Sequence, residues 1–580
     1  MAGPASMGAG GAGAARAART WLVARAEARR RLWIEALAPR RLFQMAMAAT
    51  VLMGVAFAFV GLSASSYFVD ELFTLHLIDH QGGLPEVVRR TLADTGPPLY
   101  YGLLYLWSKL AGLSEAALRL PSALFAVAAA LMVAGFAPEV LGRSSRLFAL
   151  AVALCGRFWL VQSQLARCYG LGLGISAGYI LLALAIRRQA LAGQKPVWPW
   201  AGLTLLGLAG CMTHFYLGLE AGLVAGYLIL TTGRLRLKAA LAGSGLAFVA
   251  ATAAYVAVLL GRTQEDIHHT WFGAGPGFLA RQVLGAVRDV YGPPIALVMA
   301  ALILTLALRF RRARREGAAV RSIIPPPLAW TAGLAIFVLA GMTALGIVVC
   351  LAVAPSLSAR NLLIAAPMLW LLTAAVFQLG GPRWNRAPGP ALGLAIAIAL
   401  AFSQAQNLEG RLLPRGEEWR DSARYVDSLK ACRGQTIPVL ASPSFGPPTA
   451  YVMGLAELAF YGHYDTQPGR LSAFTAHDLN PARRADLAQL MRGRVLGGSG
   501  DCPVLAWQVH DLTPSGAEAL RGAIAEAAGV PLARVTTLAF RNYELKLSGW
   551  RAEPEAWVFL AQRPGPARAQ ASSDSRQKVI

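Results

Sequence analysis

Charge is scarce in this chain. Only 15% of its 580 residues are Asp, Glu, Lys or Arg, against about 25% in ordinary soluble proteins. With 56% hydrophobic residues and repeated apolar runs near or above the ~18 residues of a spanning helix, the composition excludes a soluble globular chain. Acidic residues are scarcer still, 31 against 54 basic ones, for a net charge of +23. No basic patch is interleaved with exposed aromatics, so that balance does not point to nucleic acid. The basic residues crowd into short loops and the N-terminal arm, the placement that orients a membrane protein. A short apolar h-region near the start is missing, and no cleavable signal peptide is expected. Cysteines number six, and no Cys/His spacing resembles a structural zinc site.

What is present predicts a polytopic α-helical membrane protein with about 11 (10–13) spans and a C-terminal soluble α/β domain. Residues 1–41 form a basic cytoplasmic segment, in which Ala15 to Leu37 reads either as a helix on the membrane surface or as a disordered arm. Apolar runs at 42–62, 117–138, 147–164, 169–187, 197–213, 214–232, 238–260, 290–309, 327–353, 360–380 and 389–405 make up a transmembrane region over 42–406. The run 98–112 reaches only about 22 Å against a ~30 Å core. Leaving it out of the count puts Arg143/Arg146, Arg187/Arg188/Lys195, Arg234/Arg236/Lys238, Arg309 to Arg315 and Arg383/Arg386 on the inside, as the charge rule requires. The expected location is a bacterial inner membrane, with an outer loop over 63–116 and the tail in the periplasm.

Asp70 and Glu71 are adjacent just outside the first apolar run. Carboxylates near membrane depth are costly, which makes them functional candidates by default; the plainer reading is an acidic loop. On this topology Asp70, Asp94, Arg167, His214, His268, His269 and Arg360 all fall near the outer ends of spans, where a shared outward-facing site would gather them.

The soluble domain covers 407–563, followed by a polar, disordered stretch, 564–580. A helix running from Glu417 to Ala431, helices over Arg483–Arg494 and Gly516–Ala528, and strands over Ile437–Ala441, Val504–Val509, Val535–Leu547 and Ala556–Ala561 are expected. Cys432 and Cys502, the two cysteines of this region, can pair if it lies in an oxidising compartment; spacing alone does not bring them together. His268 and His269 would diverge on a helix, and could share a metal only in a loop.

The block from Gly96-Pro97-Pro98-Leu99-Tyr100-Tyr101 to Trp107, continuing through Gly112-Leu113-Ser114-Glu115 and Arg119-Leu120-Pro121-Ser122, resembles the early region of GT-C membrane glycosyltransferases. The similar group is the protein O-mannosyltransferase-like family, which includes bacterial lipid A aminoarabinose transferases. Asp70-Glu71, Ser163-Gln164-Leu165-Ala166-Arg167-Cys168-Tyr169, Thr213-His214-Phe215-Tyr216 and Ala354-Pro355-Ser356-Leu357-Ser358-Ala359-Arg360-Asn361 agree in order and spacing. The resemblance covers 45–380, and more loosely Trp419-Arg420 onward. One departure is Asp94-Thr95-Gly96-Pro97-Pro98, where the family often has His before the Pro-Pro pair.

The resemblance implies transfer of a sugar from a polyprenyl-phosphate donor to an envelope acceptor: lipid, lipopolysaccharide, glycan or protein. Asp70 would be the general base of a single inverting displacement. Partial burial, with ionised Glu71 beside it, would raise its pKa toward a useful value. Arg360 and Arg167 would hold the leaving phosphate as guanidinium forks; their plainer role is anchoring at the interface. Asp94, Tyr169, His214, Tyr216, His268 and His269 are candidate substrate contacts. No metal is implied by this scheme, although a divalent ion is compatible with it. A transporter or flippase of a lipid-linked substrate is the main alternative, though no repeated halves are visible. An envelope assembly protein is the other.

Overall fold

A computed structural model describes residues 39–78, 82–93, 96–262, 273–317, 323–353, 355–381, 389–440, 458–467, 469–474, 501–510, 512–546 and 549–562, with isolated residues elsewhere. Most of the basic arm lies outside them, with Arg25, Glu27 and residues 39–41 described, as do Asp94, His268, His269, most of the expected helix at Arg483–Arg494, and the last stretch from 563.

The first helix, α1 (Pro39–Phe57), is followed by a short α2 (Val69–Leu77) that carries Asp70 and Glu71. Two more helices precede the main bundle, α3 (Gly83–Ala93) and α4 (Pro98–Ala111). Pro98 opens α4, where its missing N–H costs no helix bond. The bundle continues with α5 (Glu115–Met132), α6 (Arg143–Cys155), α7 (Arg157–Gln162), α8 (Tyr169–Leu191), α9 (Val197–Cys211), α10 (Phe215–Thr231) and α11 (Leu235–Arg262). It ends with α12 (Pro276–Arg315), α13 (Pro326–Ala352), α14 (Ala359–Leu362), α15 (Ala366–Gly380) and α16 (Gly389–Leu412). Seven helices among the described residues are long and apolar enough to cross a membrane, and α9 and α10 are shorter apolar helices. Each apolar run read from the sequence contains a helix. Their faces away from the core carry large exposed apolar residues such as Leu205, Leu246, Leu297 and Ile398, the pattern of a multi-pass membrane protein.

Two breaks were not visible as such in the apolar pattern. The run at 147–164 is two helices, α6 and α7, parted at Gly156. A Cβ there would stand 3.0 Å from the Val290 carbonyl oxygen, so the close approach needs glycine. In α12 the backbone turns at Gly292, φ +62°, just before Pro293 and Pro294; proline there removes helix bonds and kinks the axis.

The tail begins with α17 (Trp419–Ser428) and contains α18 (Pro514–Ala528). Its five-stranded mixed sheet has the order β2-β1-β3-β7-β4, built from β1 (Ile437–Leu440), β2 (Leu471–Phe474), β3 (Val504–Val509), β4 (Val535–Phe540) and β7 (Ala556–Ala561). Strands β1, β2 and β3 run parallel, and β7 is antiparallel to both β3 and β4. The expected strand Val535–Leu547 is divided. Past Phe540 the chain leaves the sheet to form a separate hairpin, β5 (Tyr543–Lys546) with β6 (Gly549–Ala552). The cause is docking: the Gly416 amide donates to Asn542 Oδ1 at 2.8 Å and the Tyr543 amide to the Pro414 carbonyl at 3.1 Å. Cys432 and Cys502 form a disulfide.

The tail is seated on the segment 63–116. Arg420 donates to Glu115 at 3.1 Å and to the carbonyls of Ser63 and Ala64. The Tyr464 hydroxyl donates to Glu115 at 3.0 Å and accepts the Tyr67 amide at 2.8 Å. One apolar cluster contains Tyr67, Leu72 and Tyr101 from that segment together with Trp419, Ile437 and Trp507 from the tail. The Asp70 helix is therefore clamped between membrane bundle and soluble domain.

Candidate active site

Helix α2 has no polar N-cap, since Phe68 precedes it. Two carboxylates supply what the cap lacks. Glu71 Oε2 accepts the Phe68 amide at 3.0 Å, and Glu417 Oε2 from the tail accepts the Val69 amide at 2.9 Å. Anions at a helix N-terminus also meet the positive end of its dipole.

The two adjacent carboxylates of the sequence have opposite fates, because successive helical residues point about 100° apart. Glu71 faces inward into a closed network. Arg119 grips it with a fork, Nε to Oε1 at 2.9 Å and Nη2 to Oε2 at 2.6 Å, and the Ala166 amide donates to Oε1 at 2.8 Å. The same guanidinium donates to the carbonyls of Leu62, Ser65 and Ser66 at 2.7–2.9 Å. The side chains are 5% exposed for Arg119 and 0% for Glu71, closed off from the surface. The expected catalytic role of Glu71, and its expected action on Asp70, are corrected: its carboxylate is consumed by Arg119, which shapes the loop.

Asp70 faces the other way. Its Oδ2 accepts from Arg360 Nη1 at 2.6 Å, with side chains 25% and 34% exposed, so this pair is reachable. Arg167 reaches the same turn, with Nη1 donating to the Asp70 carbonyl at 3.2 Å while its buried Nε has no hydrogen-bond partner. Burial pushes the Asp70 carboxyl up, but Arg167 and then Arg360 pull it down more strongly, with His510 adding to the pull, and the net direction is down. This corrects the expectation of a raised pKa: two guanidiniums outweigh desolvation.

Arg360 is placed by its own loop. Ser358 caps α14 by accepting the Asn361 amide at 3.2 Å, Gln282 accepts the Ala359 amide at 2.9 Å, and Asn361 donates to the Ser356 carbonyl at 2.8 Å. Tyr169 opens α8 with its ring 6.0 Å from that of His214. His214 caps α10, its Nδ1 accepting the Tyr216 amide at 3.2 Å. Tyr216 is buried, and its hydroxyl donates to the Ser356 carbonyl at 3.4 Å; it contacts the Arg360 loop, whereas a substrate contact was expected. Asp70, Arg167, Tyr169 and Arg360 adjoin, and Asp94, His268 and His269 lie outside the described residues. Among the described residues no group of three or more His, Cys, Asp or Glu side chains is placed to hold a metal ion.

Besides Arg119, sequence reasoning missed Glu417 and His510. Glu417 is fully buried and divides its carboxylate between Val69, Trp419 Nε1 at 2.6 Å, and His510 Nδ1. His510 sits at the end of β3 with φ +80°, a region few non-glycine residues adopt. In the sequence the only signal is a histidine closing an apolar strand. The arrangement offers a partly exposed carboxylate able to accept a proton, beside guanidiniums of the kind that suit an anion.

No protein-family model matches the chain, and no curated protein sequence matches it. Among solved structures it is similar to ArnT from Cupriavidus metallidurans in the apo state, with a TM-score of 0.49 and 13% identity over 88% of this chain and 97% of that one. It is also similar to the Archaeoglobus fulgidus oligosaccharyltransferase, with a TM-score of 0.37 and 13% identity for the complex with Zn and sulfate, covering 87% of this chain and 72% of that one. The apo form of that enzyme gives 0.39 and 12%, covering 89% of this chain and 75% of that one.

Proposed function

We propose that this protein is a GT-C-like membrane glycosyltransferase that moves a sugar from a polyprenyl-phosphate donor to an envelope acceptor on the periplasmic side. The observation that carries this reading is the accessible Asp70–Arg360 pair at 2.6 Å with Arg167 beside it. These residues come from three distant segments and match the resemblance noted in the sequence.

In this reading the donor enters from the bilayer and its phosphate recruits Arg360 and Arg167. Charge-assisted bonds to phosphate compete with the Asp70 carboxylate for the same guanidiniums. As they turn to the phosphate, the pull on Asp70 weakens and its carboxylate becomes a better base. It then takes the proton of the acceptor hydroxyl as that oxygen attacks the anomeric carbon. The bond from carbon to phosphate oxygen breaks, and the electron pair leaves on the lipid phosphate, held by the arginines. One displacement inverts the anomeric centre. Tyr169 and His214 line the approach.

The test compares envelope glycans and lipids by mass spectrometry in a deletion strain carrying wild type or Asp70→Asn. A glycan mass restored by wild type alone supports sugar transfer dependent on Asp70 and gives the size of the unit. Equal restoration by both removes Asp70 as the base and favours transport.

A further inference from the structure

A second polar feature lies at the other end of the bundle. A cavity of about 170 Å³ is lined by Arg187, Thr231, Thr232, Arg234, Leu237 and Trp330, among others. Helices α8, α10 and α13 contribute to it, and each also reaches the Asp70 site. Helix α8 begins at Tyr169 and bears Arg187 near its end; α10 begins after His214 and ends at Thr231; α13 bears Trp330 near its start and leads toward Ser356 and Arg360. From Tyr169 to Arg187 the helix rises about 27 Å, close to the ~30 Å of a hydrocarbon core. The cavity therefore sits at the membrane interface opposite the candidate active site, where the charge rule puts the basic loops.

Its lining holds two guanidiniums and no carboxylate, and neither arginine has an acidic partner among the described residues. The Arg187 guanidinium lies 4.0 Å over the ring of Trp330, and the Trp330 carbonyl is fixed by the Tyr227 hydroxyl at 2.9 Å. Arg234 is tied to the neighbouring loop by donating to the Gln194 carbonyl at 2.5 Å. Stacking leaves the edge of a guanidinium for hydrogen bonding, and the Thr232 hydroxyl lies in the same lining. Leu191, Leu230 and Leu235 are exposed beside it, a surface suited to acyl chains.

We propose that this cavity binds the phosphate of an anionic lipid headgroup from the leaflet opposite the Asp70 site. A basic pocket between spanning helices meets that chemistry at the depth where headgroups lie. The site is separate from the proposed donor site and does not depend on the glycosyltransferase reading.

Native mass spectrometry of the full-length, detergent-purified protein tests it. Phosphatidylglycerol and phosphatidylcholine of the same acyl composition are added separately, with and without excess inorganic phosphate. Wild type is expected to retain phosphatidylglycerol in preference, and inorganic phosphate is expected to leave it bound. The Arg187→Gln/Arg234→Gln double variant is expected to bind about thirtyfold more weakly, as two interfacial arginines contribute. Arg311→Gln, an exposed arginine near the end of α12, is the control for general surface charge and should bind as wild type does. Equal retention of both lipids by wild type overturns the proposal. So does undiminished binding by the double variant or an equal loss in the Arg311 control. Displacement by inorganic phosphate would reassign the pocket to a free anion. If the double variant does not stay monodisperse, the wild-type preference and the Arg187→Lys/Arg234→Lys pair, expected to keep partial binding, still decide.

Discussion

Glu417 caps the helix that carries Asp70. Its Oε2 accepts the Val69 amide at 2.9 Å across 348 residues of chain, while Oε1 meets His510. The soluble domain thus sets the first turn of the helix on which the proposed base stands. Glu417→Ala should weaken this anchor by about 1–2 kcal/mol and lower kcat by up to about 100-fold through misplacement of Asp70, with a smaller change in donor KM. Steady-state kinetics of the purified variant separates this from simple unfolding, which would lower the active fraction at unchanged KM and also lower Tm steeply.

Asp70→Asn should reduce transfer by about 10²–10⁴-fold, the usual contribution of a positioned base, with Tm nearly unchanged. The free-enzyme carboxyl is held below its ordinary range, so the acid limb of kcat/KM should lie below the usual Asp value of about 3.9. Arg360→Gln removes one of the two guanidiniums that lower it, and the limb should move up. A limb that stays in place in the Gln variant argues that another group controls it.

Glu71→Gln and Arg119→Ala should act on stability rather than chemistry. Each leaves one member of a closed buried pair unmatched, at a cost of about 3–5 kcal/mol. Thermal melting in detergent reads this directly. A Glu71→Gln protein that melts like wild type yet fails to turn over would restore a chemical role to Glu71.

Cys432 and Cys502 close a loop with a sequence separation of 70, for which chain entropy gives about 4 kcal/mol. The Cys432→Ser/Cys502→Ser protein should lose that much stability in the soluble domain, measured by limited proteolysis of the tail. Reductant should reproduce the loss in wild type and have no effect on the double variant.

Glu418 is buried in the tail with no hydrogen-bond partner on either carboxylate oxygen. Burial, with Asp421 adding to it, outweighs Arg420 and Arg424 and pushes its pKa up to about 8. The folded state therefore holds this proton where the unfolded chain releases it, near 4.3. Stability from this group is full below that value and falls as pH rises toward 8, by up to about 1.4 kcal/mol per pH unit. Glu418→Gln should flatten this dependence and melt higher than wild type near pH 8. Parallel melting curves of the two proteins from pH 5 to 8 would falsify the assignment.

Much of the bundle was legible because burial in lipid writes itself as long apolar runs, and the charges between them give the ends. Asp70, Arg167 and Arg360 were expected at one face for that reason, and they adjoin. Partner choice was not legible. The sequence offers Glu71 to Asp70 by adjacency, whereas helical geometry turns it to Arg119. The break at Gly156 depends on the Val290 carbonyl, and the end of the strand at Phe540 depends on the segment 414–416. Strand β2 was missed because four residues with a polar face carry little period-2 signal. Glu417 and His510 were missed for the same reason as Arg119: their roles lie in contacts across hundreds of residues.

The seating of the tail on the segment 63–116 has a consequence for biosynthesis. Ribosomes deliver Asp70 early, Arg360 much later, and Glu417 and His510 later still. A nascent chain already threaded into the bilayer thus displays the aspartate long before its partners exist, and a message cut short after the last span should yield an inserted but idle protein. Synthesis of the tail therefore supplies the last contact that fixes the first turn of the Asp70 helix.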